Sequence, residues 1–171
     1  RVHNKRLPAT PRVPGGATNQ GVDLSSPETA AVAVSIVVPV RNEQDNLAPL
    51  IAEIAGALDG RWAYEIICVN DGSTDATGDR LAELKKRYTQ LRQIRHAASA
   101  GQSAAVRSGV RAARGTIVAT LDGDGQNNPV FLPELIAAVE QGRGRVGLAA
   151  GQRVGRKDTG FKKLQSRVAN R

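Results

Sequence analysis

Two carboxylates separated by a single residue, Asp122 and Asp124, are the residues of this sequence best suited to chemistry. They follow an apolar, β-prone run, residues 117–121, which stops abruptly at a glycine-rich segment. That pattern is typical of a buried strand that ends in a loop. Neighbouring carboxylates repel each other unless a cation lies between them, and hard oxygen ligands suit Mg2+ or Mn2+. With Gln126 adding a third oxygen, the segment predicts a divalent-metal site, although an isolated D-x-D is also typical of a solvated turn.

Apolar β-prone segments alternate with segments of helical spacing, which predicts a parallel α/β sheet with right-handed crossovers. In the usual doubly wound order the first and fourth strands are neighbours, and ligands bind outside the carboxyl ends of the strands there. Glu43 and Asp122 would then share a cleft, which Asp71 would border. Ser73 or Thr74 is expected to cap the helix after the second strand. The expected strands are 34–40, 64–70, 91–95, 117–121 and 146–150. The expected helices are 45–58, a second with Asp75 in its first turn and residues 85–87 at its end, 102–113, and a fourth opened by Pro129.

Composition divides the chain into three parts. Residues 1–33 contain prolines and glycines with few large apolar side chains, so we expect a flexible leader. Residues 34–151 form the expected α/β domain, and residues 152–171 are a basic segment. The formal net charge is +8, and the excess positive charge lies in residues 141–171, because the body of the chain is close to neutral. This charge favours an anionic partner, namely nucleic acid, a membrane surface or a phosphorylated substrate, without choosing among them.

The single cysteine, one histidine and the lack of long apolar runs narrow the class of protein further. Cys68 is the one cysteine, which excludes an intrachain disulfide and predicts a buried thiol. His96 ends the third expected strand and is expected to be structural or solvated. No apolar run is long enough to cross a bilayer and no signal peptide is evident, so we expect a soluble chain. Because the chain begins at Arg1 and contains no methionine, we expect a fragment.

The loops argue against several kinds of nucleotide and sugar chemistry. The first expected strand is followed by neither G-x-G-x-x-G nor G-x-x-x-x-G-K-[ST], which disfavours a dinucleotide cofactor and a phosphate-binding loop. A glycosidase needs carboxylates about 5 Å apart or more on opposite sides of the sugar, whereas Asp122 and Asp124 leave one loop together. The acids Glu43, Asp71 and Asp75 lie at strand ends, where each is either a solvated loop acid or an acceptor for a base or ribose.

Four segments together resemble the family two glycosyltransferases, in the branch that includes dolichyl-phosphate mannosyltransferase and its bacterial polyprenyl-phosphate relatives. They read SIVVPVRNEQDNL, EIICVNDGSTDAT, GQSAAVRSGVRAARGTIVATLDGDGQNNP and GQRVGRKDTGFKKLQSRVAN, and they cover the chain from about residue 35 to its end. The resemblance implies a GT-A nucleotide-diphospho-sugar transferase fold, a Rossmann-like, mostly parallel sheet flanked by helices, with its C-terminal part truncated. It also implies an activated sugar donor, a divalent metal (Mg2+ or Mn2+) and inversion at the anomeric carbon.

The same resemblance implies roles for residues on the first two loops. Pro39, Arg41 and Glu43 fall where the family holds the nucleoside, with Glu43 as the ribose contact. Asp71 matches the acid that contacts the base. Asp75 matches a residue that supports this second loop.

On the metal side, Asp122, Asp124 and Gln126 match the family's D-x-D-x-Q pattern for metal and diphosphate. This sequence departs from the family pattern at Gly123 and Gly125, because alanine or another residue more often stands between the aspartates. Glycine at these positions is expected to loosen the loop without changing its ligands. A metal held by Asp122 and Asp124 would stabilise the negative charge that develops on the departing nucleoside diphosphate.

The basic C-terminal segment is implied to face the acceptor. Arg153, Ser166 and Arg167 correspond to positions that face donor and acceptor phosphates, with Arg153 counted among the catalytic groups. The implied partners are a UDP- or GDP-linked sugar and a polyprenyl phosphate, which is ionised at neutral pH and needs no strong general base. An anionic surface at the cytoplasmic face of a membrane is a further expected partner. Nucleic acid is not expected, because the chain has few aromatic residues and none is interleaved with the basic run.

Two other classes of function stay open at this point. One is a fragment that binds a nucleotide or an anionic surface without turnover, because its acceptor-binding half is missing. The other is a nucleotidyltransferase that makes sugar nucleotides. The latter would need a glycine-rich loop of the G-x-G-T-R type after the first strand, and the sequence RNE at 41–43 is not one.

Overall fold

Seven consecutive buried residues, Val34–Val40, form the central strand β1 of the protein. Runs of this kind, apolar on both faces, are typical of a parallel sheet covered by helices on each side. The structure is a computed structural model and describes residues 31–142, 144 and 147–151. The remaining elements are α1 Leu47–Leu58, β2 Tyr64–Asp71, α2 Thr77–Arg87, β3 Leu91–His96, α3 Gln102–Ala112, β4 Ile117–Thr120, a short 3-10 turn Pro129–Phe131 and α4 Leu132–Gln141.

The four strands form one parallel sheet in the order β3-β2-β1-β4. Strand β1 pairs with β2 along its whole length and with β4 from Val34 to Val37. The prediction that the first and fourth strands are neighbours is therefore confirmed. Because the winding reverses between β1 and β4, the carboxyl ends of these strands flank the place where open α/β sheets bind their ligands.

The two faces of the sheet are covered by different helices. On one face, alternate residues of β1 and β2, such as Ile36, Val38 and Cys68, pack in a core that includes apolar residues of α1 and α4. On the other face, Ile67 and Val69 pack in a second cluster with Ala105 of α3. Cys68 is buried, as predicted. Burial raises the pKa of its thiol to about 12, so the reactive thiolate does not form at neutral pH.

The predicted strand at 146–150 is wrong for the residues that the structure describes, 147–150, which belong to no strand. They line a cavity of about 640 Å3 together with β4 and the apolar side chains Phe131, Leu135 and Val139. Within the described sheet, strand β4 pairs with β1 only. Within the described ranges, no helix combines the length and the apolar character needed to span a membrane.

A buried carboxylate ties the amino ends of the strands together. Glu65 of β2 is 3% exposed and accepts hydrogen bonds from Ser35 Oγ (2.8 Å), from the Arg114 N–H (2.7 Å) and from Arg92 Nη1. Arg92 also donates to the carbonyl of Ala112 at the end of α3 (3.0 Å). Burial by itself raises the pKa of Glu65, but the hydrogen bonds from Arg92, Ser35 and Arg114 together hold it below its usual value.

This carboxylate makes stability depend on pH. A group whose native pKa is depressed stabilises the fold above its unfolded pKa, near 4.5 for Glu65, and loses that contribution as the pH falls through the native value. We therefore expect the free energy of unfolding, measured with urea, to decrease as the pH falls below about 5. The variant Glu65→Gln should be less stable at neutral pH and show a shallower decrease over this acidic range. Parallel curves for the two proteins would contradict this assignment.

Candidate functional site

The carboxyl ends of β1 and β4 enclose a cavity of about 330 Å3. Pro39 and Asp122, two of the predicted site residues, line it together with the first turns of α3. Glu43 is not among the lining residues, so the structure brings Asp122 next to Pro39 and places Glu43 farther along the loop after β1. The remaining lining residues are Gln102, Ser103, Val106, Thr120 and Leu121.

Hydrogen bonds join the loop after β1 to the loop after β2. The N–H of Asn42 donates to Ser73 Oγ (3.0 Å), and the N–H of Thr74 donates to Asn42 Oδ1 (2.9 Å). The N–H of Glu43 donates to Thr77 Oγ1 (2.9 Å). Asn42 has a φ of 56°, which is uncommon outside glycine, and it turns the chain between the two predicted nucleoside contacts at 41 and 43. The two loops therefore form one cross-linked rim.

These contacts overturn the predicted cap of α2. Ser73 and Thr74 bind Asn42 instead, and α2 begins only at Thr77. The N-cap position is Ala76, and Asp75 just before it accepts from the Thr77 N–H at Oδ1 (3.0 Å) and from the Gln44 N–H at Oδ2 (3.4 Å). Asp75 thus holds both the start of α2 and the neighbouring loop.

The two predicted nucleoside contacts on the first loop lie at the surface. Arg41 is exposed and Glu43 is half-buried. Glu43 Oε2 accepts from Asn46 Nδ2 (2.6 Å), which fixes the carboxylate near the start of α1. The side chain of Arg41 is therefore accessible to solvent, and that of Glu43 is partly so.

Asp71, predicted as the base contact, is buried and accepts hydrogen bonds from donors of its own chain. It is 4% exposed. Its Oδ1 lies 2.7 Å from His96 Nδ1 and accepts from the Ala100 N–H (2.8 Å). Its Oδ2 accepts from Ser99 Oγ (2.7 Å) and from the Gly101 N–H (2.8 Å). The bonds from Ala100, then His96, Ser99 and Gly101, hold the pKa of Asp71 well below its usual range, so the group is a carboxylate.

Sequence reasoning missed His96 as a member of this cluster. Its ring contacts Asp71 through Nδ1 and lies 2.9 Å from Ser108 Oγ of α3 through Nε2. The available signal was positional, since Asp71 and His96 end neighbouring parallel strands and are partners in the register of β2 and β3.

Asp122 is held by two amides that the sequence analysis did not single out. Gln102 Nε2, at the start of α3, donates to Asp122 Oδ1 (2.7 Å), and Asn127 Nδ2 donates to Oδ2 (3.0 Å). Asp124 is exposed and its Oδ1 accepts from the N–H of Gln126 (3.0 Å), which closes the loop on itself. The orientation of Asp122 is therefore set from two sides.

The oxygen ligands in the loop after β4 fit a divalent ion that takes its remaining ligands from a substrate. Among the described residues there is no group of three or more His, Cys, Asp and Glu side chains placed to hold a metal. Asp122, Asp124 and the amide of Gln126 remain, and Mg2+ commonly binds through one or two carboxylates plus substrate phosphates and water. The residues present fit such an ion and do not form an all-protein cage.

Gly123, between the two aspartates, does not loosen the loop as predicted. It is buried, and a Cβ added there would lie 2.7 Å from Val40 Cγ1 and 2.8 Å from the carbonyl oxygen of Pro39. Glycine at this position therefore lets the loop after β4 pack directly on the end of β1. Gly125 has a φ of 72° and open space around its Cα, so it serves the turn alone.

This packing predicts the effect of a single methyl group. In Gly123→Ala the added methyl group would collide with backbone and force the loop outward. We therefore expect the affinity for a nucleotide with metal to fall about tenfold, which corresponds to a loss of roughly 1.4 kcal/mol in binding free energy. Calorimetric titration of UDP and GDP with Mn2+ measures this change. Gly56→Ala, in α1 with nothing within 4 Å of the added atom, is the matched control and should bind like wild type. Unchanged affinity in Gly123→Ala would show that the loop does not depend on this contact.

Three predicted residues, Arg153, Ser166 and Arg167, lie outside the described residues. Their predicted contacts with donor and acceptor phosphates stay predictions. The residues that the structure does bring together at the carboxyl edge are Pro39, Gln102 and Asp122.

The comparisons with known proteins agree with this arrangement. The family described as Glycosyl transferase family 2 matches residues 35–169 of the chain. Dodecaprenyl-phosphate galacturonate synthase of Rhizobium johnstonii is 38% identical over 148 residues, which are 82% of this chain and 42% of that protein. The chain thus spans less than half the length of this relative.

Solved structures share the fold at lower sequence identity. S. aureus TarS in complex with UDP-GlcNAc superposes with a TM-score of 0.58 and 20% identity, covering 74% of this chain and 39% of that one. The mannosyltransferase PcManGT of Pyrobaculum calidifontis, in complex with GDP-Man and Mn2+, gives a TM-score of 0.51 at 24% identity, covering 55% and 28%. The predicted GT-A fold is confirmed, with its parallel sheet and flanking helices.

Proposed function

The chain belongs to glycosyl transferase family 2, and from this membership we propose that it binds a nucleoside-diphosphate sugar at the carboxyl edge of its sheet and transfers the sugar to a polyprenyl phosphate. The observation that carries the proposal is the cavity of about 330 Å3 at the point where the winding reverses, with Asp122 in its wall. The name of the Rhizobium relative supports a polyprenyl phosphate as acceptor. The ligands of TarS and PcManGT support a UDP- or GDP-linked donor.

The nucleoside part of the donor is assigned to the loop after β1. Pro39 lies in the wall of the cavity, and the exposed Arg41 and the half-buried Glu43 follow it in the chain. Glu43 accepts hydrogen bonds, which suits the hydroxyl groups of a ribose. Asp75 fixes the conformation of this rim through Gln44 and Thr77.

The diphosphate is assigned to the loop after β4. Asp122, Asp124 and Gln126 would hold Mg2+ or Mn2+ there, and the Mn2+ in the PcManGT complex supports this cofactor. When bound, the ion offsets the negative charge that develops on the leaving diphosphate. Gln102 and Asn127 keep the carboxylate of Asp122 oriented toward that position.

The transfer itself needs no proton acceptor. An oxygen of the ionised acceptor phosphate forms a bond to the anomeric carbon, and the bond from that carbon to the diphosphate oxygen breaks, with its electron pair leaving on the nucleoside diphosphate. Attack from the face opposite the leaving group inverts the configuration.

The acceptor side is assigned to the basic end of the chain. In this proposal residues 34–151 bind the nucleotide sugar, and residues 152–171 begin the acceptor side. Arg153, Ser166 and Arg167 would contact phosphates, since guanidinium groups bind phosphate oxygens in pairs. The basic residues of this segment would hold the protein at an anionic, cytoplasmic membrane surface.

A transfer assay tests the proposal directly. The protein is incubated with undecaprenyl phosphate in detergent, Mn2+, and UDP- or GDP-linked hexoses in turn, and both the glycolipid and the released nucleoside diphosphate are measured. We expect one donor to give both products in equal amounts, and neither product in EDTA or with Asp122→Ala. Binding of the donor without transfer would instead favour the alternative of a nucleotide-binding fragment. Absence of donor binding would overturn the proposal.

A further inference from the structure

Both oxygens of the Asp122 carboxylate accept a hydrogen bond from a side-chain amide, and we propose that these two amides make the metal site prefer a small octahedral ion over Ca2+. Gln102 is the positioning residue that carries this selectivity, because it reaches Asp122 from outside the loop that bears the metal ligands. The inference rests on the proposed function, in which Asp122, Asp124 and Gln126 hold Mg2+ or Mn2+ beside the diphosphate.

The two donors to Asp122 are neutral. Gln102 Nε2 lies 2.7 Å from Asp122 Oδ1, and Asn127 Nδ2 lies 3.0 Å from Oδ2. Among the described residues, no cationic side chain forms an ion pair with Asp122. The negative charge of the carboxylate is therefore left for a bound cation, whereas a lysine or arginine in place of either amide would offset that charge and weaken the attraction for the ion.

The same two amides fix the orientation of the carboxylate. They approach from different elements, since Gln102 is the first residue of α3 and Asn127 lies in the loop after β4. Rotation about the Cβ–Cγ bond of Asp122 moves both oxygens, so it would disturb both hydrogen bonds at once. A carboxylate offers about four lone-pair positions, and one donor on each oxygen leaves about half of them for an ion.

The amide of Gln102 stands on a rigid support, because α3 packs directly against the sheet. Ala105 is fully buried, and a Cβ added at Gly109 would collide with Val37 of β1. The carbonyl of Gly101 accepts from the Ala105 N–H (3.0 Å), which fixes the first turn of the helix. Since close-packed elements transmit displacement rather than absorb it, the start of α3 has little freedom to move relative to β1.

A carboxylate of fixed orientation distinguishes between ions. Mg2+ and Mn2+ suit an octahedral shell of oxygens, whereas Ca2+ takes about six to eight oxygens and commonly binds both oxygens of one carboxylate. One oxygen each from Asp122, Asp124 and Gln126, together with phosphate oxygens and water, suits the octahedral shell. To bind Ca2+ through both oxygens, Asp122 would have to turn away from its amides. Loss of the Gln102 amide therefore weakens the site for Mn2+ and removes a restriction on Ca2+.

The preference for Mn2+ over Ca2+ tests this assignment. Calorimetry measures the dissociation constant of each ion in the presence of UDP or GDP, for wild type, Gln102→Leu and Gln102→Ala. We expect both variants to bind Mn2+ about 10-fold more weakly, the lower end of the losses seen when a group orienting a metal ligand is removed. The affinity for Ca2+ should stay the same or rise, so the preference for Mn2+ should fall by about 10-fold or more.

An exposed glutamine at the end of α4 provides the matched control. Gln141→Leu makes the same chemical change as Gln102→Leu and should keep the wild-type preference between the two ions. Gln102 is also exposed, so both of its variants should fold, which circular dichroism verifies.

Three results would overturn the inference. Equal weakening of both ions would mean that Gln102 strengthens Asp122 as a ligand without selecting the ion. Unchanged dissociation constants in both variants would mean that its amide plays no part. A wild type that binds Ca2+ as tightly as Mn2+ would lack the selectivity altogether. If wild type binds neither ion with either nucleotide, the proposed function fails and this inference with it, whereas normal binding by wild type and an unchanged preference in the variants refute the inference alone.

Discussion

Replacing Asp122 by alanine will weaken Mn2+-dependent binding of a nucleoside diphosphate by about 100-fold or more. Groups that only orient a metal ligand contribute 10- to 100-fold in affinity, so loss of a ligand itself should reach or exceed the upper end of that range. Asp122 is the carboxylate that lines the cavity at the end of β4, and the protein places two amide donors on it. Calorimetric titration of UDP and GDP with and without Mn2+ measures the change.

A matched control separates this effect from the loss of one negative charge. Asp79 is an exposed acid in the first turn of α2 and has no contact with the cavity. Asp79→Ala removes the same charge and should leave the nucleotide affinity within about twofold. If the two alanine variants behave alike, Asp122 does not hold the ion.

Replacing Glu65 by alanine will lower the free energy of unfolding by about 3 kcal/mol. Removing one partner of a buried ion pair costs roughly 3–5 kcal/mol, and the lower end applies because the side chain of Arg92 is 32% exposed and regains some hydration. The variant also leaves the Arg114 N–H without its 2.7 Å acceptor where β1, β2, β3 and the end of α3 meet. Urea unfolding at neutral pH, followed by circular dichroism, measures this loss.

The control for this variant is an exposed glutamate on α1. Glu53→Ala removes the same side chain from the surface and should change the free energy of unfolding by no more than about 0.5 kcal/mol. A loss below about 1 kcal/mol in Glu65→Ala would mean that the buried cluster is dispensable for the fold.

The sheet was predictable because its two central strands, β1 and β2, are buried on both faces. Val34–Val40 is buried throughout, and a run of this kind leaves little choice but a central parallel strand. That the first and fourth strands are neighbours followed from the usual doubly wound order rather than from any single residue. The segment 146–150 is also apolar, but residues 147–150 form no strand. An apolar segment favours burial, yet it forms a strand only where a neighbouring strand is placed to pair with it.

The candidate site was predictable in its location and less so in its contacts. The acids that follow β1, β2 and β4 had to lie along the same edge once the sheet was parallel. Whether a carboxylate faces solvent or its own chain depends on loop conformation, as Asp71 shows with its donors at 96 and 99–101. Likewise the role of Gly123 depends on the carbonyl of Pro39, a contact that no sequence pattern reveals.

The central claim, a metal-linked nucleotide site at the carboxyl edge of the sheet, is tested most directly by paramagnetic broadening in an NMR spectrum. Amide cross-peaks of the protein are recorded with UDP or GDP and Mg2+, and again with Mn2+ in place of Mg2+. We predict selective loss of the amide signals of 122–126, Gln102 and 41–43, while those of Glu65, Arg92 and Arg114 at the opposite edge persist. Broadening centred on the opposite edge, or no broadening with either nucleotide, would contradict the account.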